Sequence, residues 1–95
     1  MAQLTADATL TPVGYEQIAD VSTPAKALTV PTGARVAIIQ AVAQNVRWRD
    51  DGTDPDATTG MRLEAGSSIV YTGDLDAIKF FEEAASAELN VSYYE

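Results

Sequence analysis

Hydrophobic and polar residues alternate with a period of two through most of the chain after residue 25. Gly, Pro, Asn and Asp interrupt this alternation about every 8–12 residues, which is typical of an all-β protein. A β-strand has this period because its successive side chains point to opposite faces of the sheet. The pattern predicts strands over residues 26–30, 35–43, 45–49, 61–63, 68–72, 75–81 and 89–94.

The most hydrophobic of these segments covers residues 35–43, in which both alternating faces are largely apolar. A strand that is buried on both faces, or central in its sheet, has this composition. A helix is the alternative for such an Ala-rich segment. Its β-branched residues and the preceding turn at Pro31-Thr32-Gly33 favour a strand.

The predicted fold is therefore all-β, with about seven or eight short strands in two antiparallel sheets packed face to face. A jelly-roll or Ig-like β-sandwich is the first choice and a small barrel the second. The 95 residues suffice for one domain, which we place at residues 25–95. Residues 1–24, with breakers at Pro12-Val13-Gly14, are expected to form an extended N-terminal arm.

The composition limits the chemistry that the chain can perform. It contains neither Cys nor His, so it lacks a thiol nucleophile and the usual general base, and we expect no enzyme activity and no cofactor. Its formal net charge of −8 disfavours direct binding to nucleic acid and favours a basic protein surface as partner. No segment approaches the roughly 20 apolar residues that span a bilayer, so no membrane association is expected. The N-terminus also lacks the features of a secretory signal.

The longest interruption of the pattern, residues 50–60, is acidic and carries the only candidate metal ligands. Carboxylates are the preferred ligands of Ca²⁺, but the spacing does not fit the EF-hand template. The alternative is a solvated loop whose carboxylates accept hydrogen bonds within turns. We expect no metal site, and the weak calcium candidates are Asp50, Asp51, Asp54 and Asp56.

Four residues are candidates for contact with a partner because Arg and aromatic residues are enriched in interface hot spots. The alternation places Trp48 with Val46 in the core and sends its two Arg neighbours outward. An exposed Trp48 would instead suit a sugar-binding module. The outward residues proposed to bind a partner are Arg47, Arg49, Phe81 and Tyr94.

Several strings of the chain resemble a group of small uncharacterised structural proteins of tailed bacteriophages. They include residues 30–34, 38–40, 45–53 and 59–63, then Ala65-Gly66, residues 71–75, 77–80 and 89–94. The resemblance covers roughly residues 26–94, and the first 25 residues do not contribute to it.

The resemblance implies a virion component that is made in the bacterial cytoplasm, and foremost a head decoration (cement) protein that binds the major capsid protein. A neck or tail accessory or a carbohydrate-binding adhesive module is the alternative. Much of the hydrophobic content is Ala, so the core is expected to be thin, and a thin core predicts a homo-oligomer, a trimer first and a dimer second. No catalytic residues are carried over from the resemblance.

Overall fold

Eight strands and no helix form the described part of the chain, which in this computed structural model comprises residues 10–22 and 24–95. Accordingly, these residues contain no helix long and apolar enough to cross a membrane. The strands are β1 (Pro12–Ile18), β2 (Lys26–Ala27), β3 (Val36–Val42), β4 (Val46–Arg49), β5 (Met61–Leu63), β6 (Ser68–Tyr71), β7 (Lys79–Glu82) and β8 (Glu88–Tyr94).

The strands form two four-stranded antiparallel sheets, sheet A in the order β1-β8-β3-β6 and sheet B in the order β2-β7-β4-β5. Strand β1 pairs with β8, β2 with β7, β3 with β6 and β4 with β5, as in one long hairpin. The pairs β3–β8 and β4–β7 roll this hairpin up. The all-β sandwich prediction is confirmed, and the strand order is that of a jelly roll rather than of an Ig-like domain or a barrel.

The core lies between the inner faces of the two sheets. In sheet A, Ile39 lies opposite Val91, and in sheet B, Trp48 lies opposite Phe80. The largest fully buried side chains are Tyr93, Phe80, Ile39, Ile78, Leu89, Val21, Val46 and Val91. None of the described polar or charged residues is buried. The sandwich is therefore held together by apolar contact.

Strand β3 is central in sheet A, as its composition predicts, but only one of its faces lies in the core. Ala37, Ile39 and Ala41 are buried, whereas Gln40 on the opposite face is exposed. Ala37 lies between Tyr93 of β8 and Tyr71 of β6 in the pairing register. The small side chain leaves room for the two large rings, which explains Ala at this central position.

The predicted boundary between arm and sandwich, after residue 24, is wrong. Strand β1 pairs with β8 along its length, and the pairing continues to Thr11, whose N–H and C=O both bond to Glu95. Val21 is fully buried in the core. The sandwich therefore begins near residue 11, and residues 1–9 of the predicted arm lie outside the described residues.

Pro12 and Gly14 do not break β1 because the strand lies at the edge of sheet A. Pro12 is the first residue of the strand, where Pro is tolerated, and the register shifts between Pro12 and Gly14 in a bulge. A side chain at Gly14 would come within 2.9 Å of Pro31. Glu16 accepts hydrogen bonds from the Tyr93 hydroxyl and, at 2.8 Å, from the N–H of Thr29. These contacts fix the edge strand to the rest of the domain.

Truncation of a valine should distinguish the two faces of sheet A. We expect Val91→Ala, on the inner face, to lower the free energy of unfolding by about 2–3 kcal/mol because it leaves a cavity in a close-packed core. Val36→Ala, on the outer face of the neighbouring strand, should cost well below about 1 kcal/mol. Urea unfolding of both variants measures the difference, and equal losses would contradict this assignment of faces.

Candidate binding surfaces

The outer face of sheet B gathers four of the six Lys and Arg residues of the chain. Arg47 of β4 lies between Arg62 of β5 and Phe81 of β7, and Arg49 lies opposite Lys79. These side chains point away from the core because Val46 and Phe80, their chain neighbours, are buried. We call this surface, formed by Arg47, Arg49, Arg62, Lys79 and Phe81, the basic face.

Glu83 holds two of these guanidinium groups. Its carboxylate accepts a hydrogen bond from Arg47 Nε at 2.6 Å and lies 3.2 Å from Arg62 Nε. Arg47 Nη1 also donates to the C=O of Gly60 at 3.1 Å. Two nitrogens of the Arg47 guanidinium group are therefore held by hydrogen bonds. Partial burial acts to raise the pKa of Glu83, but hydrogen bonds from Arg47 and Asn45 and the nearby positive charges lower it.

The other two cations bind aspartates of the 50–60 loop. Arg49 donates to both carboxylate oxygens of Asp51, at 3.0 and 2.5 Å, and this pair chiefly lowers the pKa of Asp51. Lys79 Nζ lies 3.2 Å from Asp54. Arg49 thus pairs with an aspartate that directly follows its strand, whereas Arg47 binds Glu83 of a distant segment.

The four aspartates considered as calcium ligands each have a separate partner. Asp50 accepts a hydrogen bond from the Tyr71 hydroxyl at 2.6 Å, and Asp56 accepts from the N–H and hydroxyl of Thr58 at 2.9 and 3.1 Å. Asp51 and Asp54 bind the cations named above. Within residues 10–22 and 24–95, no group of three or more carboxylates is arranged to hold a metal ion.

Trp48 lies on the inner face of sheet B, at the end of the sandwich, with Phe80 and Met61 as its cross-strand neighbours. Its ring packs against the core and meets Tyr71 edge-on, with a centroid distance of 6.1 Å and an interplanar angle of 67°. The ring is only partly buried because a cleft of about 300 Å³ opens beside it. The lining of this end cleft consists of Trp48, Arg49, Asp50, Asp51, Thr59, Gly60 and Met61.

Tyr71 connects the two sheets at this end. Its ring is buried on sheet A, and its hydroxyl binds Asp50 at the start of the loop that follows β4 of sheet B. Burial and the hydrogen bond to the Asp50 carboxylate raise the pKa of Tyr71 to about 12. The bond fixes the first carboxylate of the acidic loop against the core.

The outer face of sheet A is largely uncharged. Val36, Ile38 and Val70 are half-buried there, beside a row of amide side chains in which Gln17 donates to Asn90 and Asn90 donates to Gln40. A shallow groove of about 240 Å³ follows this row. Tyr94 also lies on this face, where its hydroxyl accepts a hydrogen bond from Ser92.

The four predicted partner-binding residues therefore do not form one surface. Arg47, Arg49 and Phe81 share the basic face, while Tyr94 lies on the opposite side of the molecule. Sequence reasoning missed Arg62 and Met61, although the alternation Met61-Arg62-Leu63 already places Arg62 on the other face of the strand from Leu63. It had no means to find Glu83 as the partner of Arg47, since the contact spans 36 residues.

Removal of the Tyr71 hydroxyl should change the alkaline stability of the protein. Because the folded state raises the pKa of Tyr71 above the ordinary value of about 10, its contribution is complete below about pH 10 and is lost as the pH rises through about 12. We expect the free energy of unfolding to fall less steeply over this range in Tyr71→Phe than in the wild type. Urea unfolding at several pH values measures the slope. Tyr15→Phe, on the exposed edge strand, is the control, and equal slopes in all three proteins would contradict the prediction.

No known protein family, curated protein sequence or solved structure shows significant similarity to this chain. The jelly-roll topology alone does not define a function, because the same fold carries many unrelated activities. Structural support for a function therefore comes from the basic face and the end cleft.

Proposed function

We propose that the chain is a non-enzymatic structural protein of a tailed-phage virion, foremost a head decoration protein that binds and stabilises the capsid shell. The resemblance of residues 26–94 to small phage structural proteins, to which the comparisons with known proteins add no support, motivates this proposal. The observation that carries it is the basic face, which collects four of six cations on one side of a chain with net charge −8. Counted with its three paired carboxylates, Glu83, Asp51 and Asp54, the face still has one more positive than negative charge, and this difference from the rest of the chain favours one orientation on a partner surface.

The basic face has the composition of a protein-binding surface. Phe81 is half-buried beside Arg47, and Arg and aromatic residues dominate interface hot spots. Glu83 and Gly60 hold the Arg47 guanidinium in place, so binding requires little further ordering of this side chain. The partner that fits this face is an acidic patch on the shell, in contrast to the basic surface that the net charge of the chain predicts. Arg62 and Lys79, the most exposed of the four cations, would make its first contacts.

The sandwich also suits a purely mechanical role. Its two antiparallel sheets are closed by pairings between distant strands. A cyclic homo-oligomer, a trimer at local threefold positions or a dimer at twofold positions, fits attachment to a symmetric shell. A neck or tail accessory would use the same surfaces on a different virion protein.

A carbohydrate-binding adhesive module is the second candidate, and the end cleft is the observation that favours it. A partly exposed Trp48 ring beside Asp50 and Thr59 provides an apolar platform next to hydrogen-bonding groups. For such a module, attachment should require a saccharide and should not change when the charges of the basic face are removed.

Binding to phage heads tests the proposal directly. Purified heads of the phage that encodes the chain, prepared without it, are mixed with the recombinant protein and sedimented. We expect saturable binding and increased resistance of the heads to heat. The double variant Arg62→Gln/Lys79→Gln should bind about tenfold more weakly, because it removes two charges from the basic face.

The matched control is Lys26→Gln/Arg35→Gln, which removes the same two charges elsewhere. Lys26 lies opposite Phe80, so it is on the other side of sheet B from Lys79, and Arg35 precedes β3 of sheet A. Equal weakening by both double variants would reject the basic face as the docking surface. Failure of the wild-type chain to sediment with heads would reject the decoration role.

A further inference from the structure

The end cleft has features that the basic face does not explain. It opens where β4 continues into the 50–60 loop and where that loop returns into β5. One wall is apolar, formed by the cross-strand neighbours Trp48 and Met61. Met61, the first residue of β5, is 61% exposed, whereas Leu63, the last residue of the same strand and on the same face, is buried. Trp and Met are enriched where proteins bind one another, so this wall is a candidate contact.

The polar side of the cleft is acidic. Arg49 and Asp51 bind each other through two hydrogen bonds and so satisfy one another. Asp50 is different, because the Tyr71 hydroxyl binds only its Oδ2 atom, and no partner for Oδ1 is found among residues 10–22 and 24–95. Two carboxylates and one guanidinium give the lining a negative charge, in keeping with the net charge of the chain.

We propose that the end cleft binds the side chain of a Lys or Arg residue presented by a partner protein. Its alkyl stem would lie along Trp48 and Met61, and its cationic group would bind Asp50 Oδ1 beside the Trp48 ring. A cation near an indole face is attracted by the ring, and long basic side chains bury their stems against apolar surface. The inference rests on the proposed function, in that it assumes a protein partner.

Size and charge support this occupant. A cleft of about 300 Å³ is open enough to accept one long side chain. A neutral saccharide would gain no charge attraction from the negative lining, and the Arg49–Asp51 pair leaves fewer groups for its hydroxyls. The partner surface would thus present a basic residue to the cleft and acidic residues to the basic face. These two contacts would fix the position as well as the orientation of the chain on that surface.

Trp48 is the only tryptophan of the chain, so its fluorescence and its indole N–H signal in NMR spectra report on the cleft. The probes are Nα-acetyl-lysinamide and Nα-acetyl-argininamide, with uncharged Nα-acetyl-norleucinamide and a panel of monosaccharides for comparison. We expect saturable binding of both basic probes, with a dissociation constant on the order of 1 mM, that weakens as salt is added. The norleucine compound and the sugars should not bind.

The variant Asp50→Asn should bind the basic probes about tenfold more weakly, while it keeps an oxygen that can accept the hydrogen bond from Tyr71. Glu64→Gln, in the turn after β5, removes the same charge at the other end of that strand and should bind as the wild type does. Absence of a saturable Trp48 response to either basic probe overturns the inference. So does equal weakening by both variants, or binding of a sugar in place of the cations.

The two proposals fail separately. Heads that bind the wild type and Asp50→Asn equally well, with no Trp48 response to the basic probes, would leave the decoration role standing and remove the occupant assigned to the cleft. A Trp48 response to the basic probes in a chain that does not bind heads would leave the cleft assignment and reject the decoration role.

Discussion

Strand β8 lies between β1 and β3, and its backbone hydrogen bonds join the beginning, the middle and the end of the chain in one sheet. Its inward side chains Leu89, Val91 and Tyr93 are all buried, and the small Ala37 and Ala41 of β3 make room for two of them. Because the chain has no Cys, this noncovalent pairing takes the place of a crosslink in closing the roll. The position of the outer face of sheet A follows from it.

Each candidate surface is a consequence of the alternation that builds the core. Burial of Val46 and Phe80 sends Arg47 and Phe81 to the outer face of sheet B. At the end of β4 the same alternation turns Trp48 inward, where the sandwich ends and covers the ring only in part. The strands and loops of the sandwich alone therefore form the basic face and the end cleft, and Arg49 contributes to both.

The sequence predicts the strands well wherever inner and outer residues differ in polarity. Strand β5 and the alternation of β8 were predicted correctly, because apolar residues there recur at every second position. Strand β1 was missed because Pro12 and Gly14 interrupt its pattern. An edge strand tolerates both, because Pro12 is its first residue and the register shift before Gly14 forms a bulge. Its inner face also carries Glu16, whose contacts with Tyr93 and Thr29 are made across the fold.

The candidate surfaces were less predictable, since they depend on strand order. The sequence places Arg47, Phe81 and Tyr94 outside, but the topology puts Tyr94 on the other sheet from the first two. The ion pairs of Glu83 with Arg47 and Arg62 likewise join segments far apart in the chain. In the sequence, the aspartates of the loop over residues 50–60 are only weak calcium candidates, and their actual partners, a tyrosine, two cations and a turn, depend on the fold.

The central claim is that the chain attaches to a shell through the outer face of sheet B. Electron cryomicroscopy of heads carrying the bound chain, at a resolution that separates its strands, tests this claim most directly. The account predicts that β4, β5 and β7 lie against the shell and that the outer face of sheet A is turned to solvent. Heads on which sheet A makes the contact, or on which the chain is absent, would contradict it.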